Sequence, residues 1–150
     1  SEHLGRKYAD DGWNLNNMPM LYNSLFGVFD QAITGMTVPW MYIGMIFSTF
    51  AWHVEDHYTY SINYNHFGAP KTWYGVPGSM ADRFDEVFKN TVPELFEAEP
   101  DLMNHLVTIL NPSVFVDKNI SVCRTDQREG EFVITFPQAY HAGFNQVRAI

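Results

Sequence analysis

Two stretches of β-type sequence flank one stretch of helical period, and no strand–helix–strand alternation occurs anywhere along the chain. That order excludes a doubly wound parallel sheet and favours an antiparallel barrel or jelly roll carrying a helical excursion. Residues 40–52, "WMYIGMIFSTFAW", are apolar and aromatic, which predicts one or two buried strands. "HYTYSINY" and "KTWYGVP" stand on either side of the turn "NHFGAP", so residues 57–76 read as a hairpin. The period changes at "SMADRFDEVFKN", where Met80, Phe84, Val87 and Phe88 share one helical face behind Ser79 as N-cap. A second helix is predicted through "PDLMNHLVTIL", with Leu102, Leu106 and Ile109 inward. "SVCRTDQ", "EFVITFP" and "AYHAGFN" return to strands. Residues 1–35 look irregular, with turn chemistry in "DDGWNLNNMP" and a short strand or helix in "SLFGVF".

At 150 residues, with 46% hydrophobic and 16% aromatic content, the chain reads as one domain with a packed interior. Its net charge of −8 argues against direct nucleic-acid binding and would suit a basic partner. Cys123 is the single cysteine, so neither an internal disulfide nor a cysteine zinc site can form, and a reducing, intracellular setting is expected. The longest apolar stretch, residues 38–52, carries Pro, Gly, Ser and Thr and falls short of the roughly 20 residues that span a bilayer. "SEHLGRKYADDGW" has no signal-peptide character. A soluble protein is expected.

The segment "WHVEDHYTYSINY" (52–64) sets two histidines and two acids among aromatics and β-formers. Burying such charges without partners is costly, so the run is an exposed face, a turn, or a set of metal ligands. On a strand, His53 and Glu55 point the same way, and an imidazole beside a carboxylate offers two ligands to a divalent ion. Chance alone supplies about 0.7 such pairs at this composition, so the pair by itself is a weak signal. A second histidine would complete a two-histidine, one-carboxylate set with open positions, the arrangement of non-haem Fe(II) oxygenases. His3 is terminal, His66 sits in a turn and His105 on the second predicted helix. His57 is read as an outer partner or as packing on an aromatic, and Asp56 likewise as an outer partner. His141, followed by Ala142 and Gly143, is the candidate third ligand, with Asn145 on the same strand face. Between Lys7 and Arg83 the sole cation is Lys71, beside Trp73 and Tyr74. It is either an exposed strand end or the counter-charge for an anion held in the barrel, with Ser61 and Asn63 on the paired strand as hydroxyl and amide donors.

"HVEDHYTYSINYNHFGAPKTWYGVP" followed by "GEFVITFPQAYHAGFNQ" closely resembles the JmjC histone lysine demethylases. "GWNLNNMP", "GMTVPWMYIGM", "EDHYTYSINY" and "PELFEAEPDLMNHLVTILNP" resemble the JARID subfamily, and the likeness runs over about residues 10–146. The resemblance implies a mainly β fold, a double-stranded β-helix (cupin-like jelly roll) with a helical insert. It also implies Fe(II), 2-oxoglutarate and dioxygen. Carried over residue by residue, the iron ligands fall on His53, Glu55 and His141, and the 2-oxoglutarate contacts on Lys71, Ser61 and Asn63. Phe50 and Trp73 match walls of the cosubstrate pocket; Tyr42 and Asn145 match positions near the methylated lysine and the iron.

The implied reaction is oxidative demethylation of methyl-lysine on a histone tail, by resemblance the fourth-position lysine of histone H3, releasing formaldehyde, succinate and CO2. Hydrogen abstraction from an N-methyl group needs no nitrogen lone pair, so trimethyl-lysine is an acceptable substrate. A nuclear setting and chromatin complexes joined through flanking domains follow from the same resemblance. "NQVRAI" departs from the family's continuation into the strand that completes the barrel, and the family's upstream 2-oxoglutarate tyrosine would precede Ser1. The chain is therefore read as a partial JmjC catalytic domain over 1–150, truncated at the C-terminal strands and expected to be unstable or inactive alone. A JmjC-like binding module without turnover and a protein hydroxylase of the same fold are the alternatives.

Overall fold

The computed structural model describes residues 7–98 and 109–146. The chain divides into two compact units, residues 1–43 and 44–150. The first unit is held by turns. Asn14 and Asn17 bond nearby backbone groups through their side chains, and single-turn 3-10 helices form at Met18–Met20 and Leu25–Val28. "SLFGVF" thus resolves as a helical turn, with Ser24 Oγ accepting from the Phe26 N–H at 3.2 Å.

The second unit is built from six strands: β1 (Thr49–His53), β2 (Ser61–Tyr64), β3 (Lys71–Gly75), β4 (Cys123–Gln127), β5 (Phe132–Thr135) and β6 (His141–Asn145). They form two antiparallel sheets, one of order β1-β6-β3-β4 and one pairing β2 with β5. The predicted hairpin over 57–76 does not form. The two runs flanking "NHFGAP" enter different sheets, so that turn is a crossover between sheets.

The predicted strand "HYTYSINY" is also shortened. Asp56–Tyr58 is a 3-10 turn with His57 and Tyr58 at φ of 55° and 52°, and pairing starts at Ser61. Of the buried strands expected over 40–52, only Thr49–His53 is one. Met41, Ile43 and Phe47 are exposed, and Phe47 has a φ of 62°, which a strand does not accommodate.

The helix Ala81–Thr91 (α1) follows a 3-10 turn at Gly78–Met80, so the cap falls on Met80 and Ser79 makes no capping bond. The expected face is the buried one: Phe84, Val87 and Phe88 join the core and Met80 packs at its margin. Leu102, Leu106 and His105 of the second predicted helix lie outside the described residues. Ile109, expected inward, is exposed. The core lies between α1 and one face of the four-stranded sheet. Phe84 stacks on Tyr140 at 4.1 Å and on Phe115 at 4.2 Å, and Trp52 donates its indole N–H to the Leu110 carbonyl at 2.9 Å. Fully burying an aromatic side chain of this size contributes about 1.5–3 kcal/mol, which pins the sheet to the helix and leaves its other face for chemistry. Among the described residues, no helix is long and apolar enough to cross a membrane.

Candidate metal and cosubstrate site

Cross-strand register places the site. Gly75 pairs with Cys123 and His141, and His141 with His53; Trp73 pairs with Thr125 and Gly143, and Gly143 with Phe50; Lys71 pairs with Gln127 and Asn145. Since side chains alternate along a strand, these rows two residues apart share one face. Phe50 and His53 are three apart and would oppose each other on a regular strand. A bulge between them sets three residues of β1 against two of β6, so both stand on the site side while Trp52 enters the core.

His53, Glu55 and His141 present one donor atom each, all within 4.8 Å of one another. Both imidazoles are held by their own strand: His53 Nδ1 lies 2.9 Å from the Ala51 carbonyl, and His141 Nδ1 lies 3.0 Å from that of Ala139. A carbonyl can only accept, so each ring carries its proton on Nδ1 and offers the Nε2 lone pair to the centre. His141 Nε2 is 3.4 Å from Glu55 Oε1. Burial, with His141 beside it, lowers the His53 pKa and favours the neutral form a metal needs. Contact with His141 holds Glu55 below its ordinary value, and Ser61 acts in the same direction. Two imidazoles and a carboxylate fit a divalent first-row metal such as iron.

Lys71 is half-buried, which lowers its pKa, and its Nζ lies 5.3 Å from the centre of the Phe50 ring. It donates to Asn145 Oδ1 at 2.6 Å, and among the described residues no carboxylate pairs with it. An ammonium so placed suits an incoming anion. Phe50 and Trp73 pack edge to face at 4.8 Å between Lys71 and the histidines. Ser61 and Asn63 do not lie on the strand paired with Lys71, as the hairpin implied. They belong to the second sheet. Ser61 Oγ bonds Thr135 Oγ1, and the Asn63 carbonyl accepts from Gln127, the cross-strand neighbour of Lys71.

Asp56 and His57 are exposed on their 3-10 turn and are not among the three converging donors. Tyr42 belongs to the first unit, edge-on to Trp40.

Gln127, Thr135 and Ser48 were not legible as site residues. Gln127 is 1% exposed and fully bonded: Oε1 accepts from Trp73 Nε1 at 2.8 Å, and Nε2 donates to the Asn63 and Glu131 carbonyls at 3.1 and 3.0 Å. Ser48 accepts the Asn145 amide, which keeps the Asn145 oxygen turned toward Lys71. Gln127 ends β4 among charged neighbours, "RTDQRE", so no sequence signal marked it. A cavity of about 530 Å³ is bordered by Trp73, Cys123, Thr125, Val133, Thr135 and, of the three donors, His141.

Residues 40–150 match the family described as "JmjC domain, hydroxylase". Over 140 residues the chain is 56% identical to lysine-specific demethylase 5B of Gallus gallus, and over 141 residues 55% identical to lysine-specific demethylase 5D of Homo sapiens and of Pan troglodytes. These alignments cover 93–94% of the chain but 9% of each relative, so the chain spans about a tenth of their length. The resemblance to the JARID subfamily is borne out by these relatives, and the antiparallel sheets with a helical insert are the fold it implied. The chain belongs to the JmjC domain family.

Proposed function

We propose that this chain is the catalytic JmjC domain of an Fe(II)- and 2-oxoglutarate-dependent histone lysine demethylase. The observation that carries the reading is the convergence of donor atoms of His53, Glu55 and His141 within 4.8 Å of one another. In it, His53, Glu55 and His141 hold Fe(II), and the protons fixed on both Nδ1 atoms keep the ligating lone pairs available. Bound iron supplies the activation of dioxygen, coupled to oxidation of 2-oxoglutarate to succinate and CO2, that oxidises an N-methyl group.

The remaining roles belong to the chain's own side chains. Lys71 pairs with the distal carboxylate of 2-oxoglutarate, exchanging or sharing its bond to Asn145. Ser61 and Asn63 supply hydroxyl and amide groups from the opposite sheet, while Phe50 and Trp73 wall the cosubstrate and keep water from it. Asn145 is assigned to the neighbourhood of the methylated lysine. A chain of net charge −8 suits a basic tail, and the methylated fourth-position lysine of histone H3 is the substrate proposed. Relatives named lysine-specific demethylases support this reading, with the nucleus as its setting and chromatin complexes as its partners.

The test is mass spectrometry of a trimethylated H3 tail peptide incubated with the protein, Fe(II), ascorbate and 2-oxoglutarate, beside His53→Ala and Lys71→Ala variants. Stepwise loss of methyl mass, abolished in His53→Ala, is expected. Lys71→Ala is expected to raise the 2-oxoglutarate concentration for half-maximal turnover about 10- to 150-fold, the range of a lost charge-assisted bond. Equal turnover by wild type and His53→Ala would refute the assignment.

A further inference from the structure

Gln127 ends β4 with its side chain buried, opposite Lys71 and within bonding reach of three other segments. A buried amide is costly unless its polar atoms are satisfied, and here each finds a partner. Oε1 accepts the Trp73 indole N–H at 2.8 Å, within the four-stranded sheet. Nε2 crosses to the second sheet, donating to the Asn63 carbonyl on β2 and to the Glu131 carbonyl just before β5. The clasp is returned from the other side, where Asn65 Nδ2 donates to the Gln127 carbonyl at 3.2 Å. An acceptor and two donors at the end of a two-carbon stem belong to glutamine: Glu brings no donor, Lys no acceptor and Met neither.

Both ends of the clasp are walls of the proposed cosubstrate site. Trp73 meets Phe50 edge to face, and its ring centre lies 6.0 Å from that of His141. An indole held through its N–H cannot turn about its stem without losing that bond. Asn63 pairs with Val133, and the cavity is bordered by Trp73, Thr125 and His141 from one sheet and by Val133 and Thr135 from the other. The spacing of the sheets is therefore the width of the cavity. We infer that Gln127 is a positioning residue for 2-oxoglutarate: it fixes the plane of the Trp73 ring and the distance from that ring to the Asn63 strand. The inference rests on the cosubstrate reading above.

The experiment is a calorimetric titration of 2-oxoglutarate into the Mn(II)-loaded chain. Mn(II) affinity is measured separately, and the Trp73 indole N–H is followed by 15N NMR. Wild type is compared with Gln127→Met, Trp73→Phe, the double variant and Lys71→Ala; the Trp73 resonance is the one missing in Trp73→Phe. It is expected to exchange slowly with solvent in wild type and faster in Gln127→Met. Gln127→Met and Trp73→Phe are each expected to weaken 2-oxoglutarate binding about 5- to 10-fold, the worth of one lost hydrogen bond, and the double variant no further than the weaker single. Mn(II) affinity should stay within about 3-fold throughout, since the three donors are untouched. Wild-type 2-oxoglutarate affinity in a folded Gln127→Met, or an equal loss of Mn(II) affinity, would make the residue merely structural and overturn the inference. If Gln127→Met does not fold, Trp73→Phe decides: wild-type 2-oxoglutarate affinity there, or a rapidly exchanging Trp73 N–H in wild type, overturns it. If wild type binds no 2-oxoglutarate, or Lys71→Ala binds it as tightly as wild type, the cosubstrate reading itself fails and this inference falls with it.

Discussion

Gly143 is the position where one added carbon does most damage. It lies on β6, the strand between β1 and β3, paired with Phe50 on one side and Trp73 on the other. A Cβ built there would stand 2.1 Å from the Thr72 carbonyl oxygen and 2.6 Å from Phe50 Cζ. Phe50 cannot swing clear without leaving Trp73, and the carbonyl cannot move without opening the β3–β6 ladder. Overpacking of this kind costs about 1–3 kcal/mol, and a backbone obstacle puts Gly143→Ala at the upper end, roughly 3 kcal/mol or more. At about 2–4 °C per kcal/mol for a chain of this size, the melting temperature should fall by roughly 6–12 °C. Gly75→Ala on the neighbouring strand is the control. Its nearest obstacle is the Cys123 thiol at 3.1 Å, exposed and able to rotate, so about 1 kcal/mol or less is expected. Urea unfolding followed by circular dichroism measures both. Equal stabilities for the two variants would refute the packing argument, because they would require β6 to stand farther from β3 than described.

Replacing Gln127 by Met leaves the Trp73 indole N–H and two carbonyls without their partners, so a loss of about 3–5 kcal/mol is expected in the same urea assay; a loss below about 1 kcal/mol would mean those bonds are dispensable. Burial and the Asp85 carboxylate hold the Tyr140 phenol well above its ordinary value of 10.0. The folded protein therefore keeps a proton that the unfolded chain gives up above that pH. Stability falls as pH rises past it, by up to about 1.4 kcal/mol per pH unit from this group. Tyr140→Phe should lose that slope between pH 10 and 11, and parallel wild-type and variant curves would contradict it. Phe84→Ala empties the space between Tyr140 and Phe115 and should cost about 3–5 kcal/mol by calorimetry; a cost under about 2 kcal/mol would show that the core collapses to fill it.

What the sequence made legible was local or compositional. The face of α1 followed from the spacing of Phe84, Val87 and Phe88, and the segments around Lys71, Phe132 and His141 followed from β-formers at alternate positions. Pairing partners were hidden, because adjacency along the chain is only a guide to adjacency in a sheet. Ser61 lies ten residues from Lys71, yet its cross-strand neighbour is Thr135. The bulge in β1 was hidden for a related reason. Simple alternation from Phe50 sends His53 to the opposite face, and only the Gly143 and His141 partners across the gap fix the extra residue. The left-handed turn at His57 and Tyr58 ended a strand that composition alone would have continued. Gln127 escaped notice because a buried polar side chain is identified by its partners, and those sit on three different segments.

The geometry of β6 also bears on the size of the proposed cosubstrate. Four residues at about 3.3 Å each separate the row of His141 from the row of Lys71 by roughly 13 Å. The Lys71 ammonium leans back over the Phe50 ring, which belongs to the row between them. Under the proposed function, a short diacid lies between Nζ and the donor cluster, one end neutralising the ammonium and the other reaching the metal position. Gly143 stands in that interval, and the Phe50 ring occupies the place its side chain would take. The strand is thus a ruler: His141 at one mark, Gly143 under the Phe50 ring at the next, and Asn145 steering Lys71 at the third. A longer diacid would have to displace Asn145, whose amide is already held by Ser48. Under the proposed function, selection for a cosubstrate of one length would follow from the spacing along β6, with Lys71 providing the charge and Asn145 the stop.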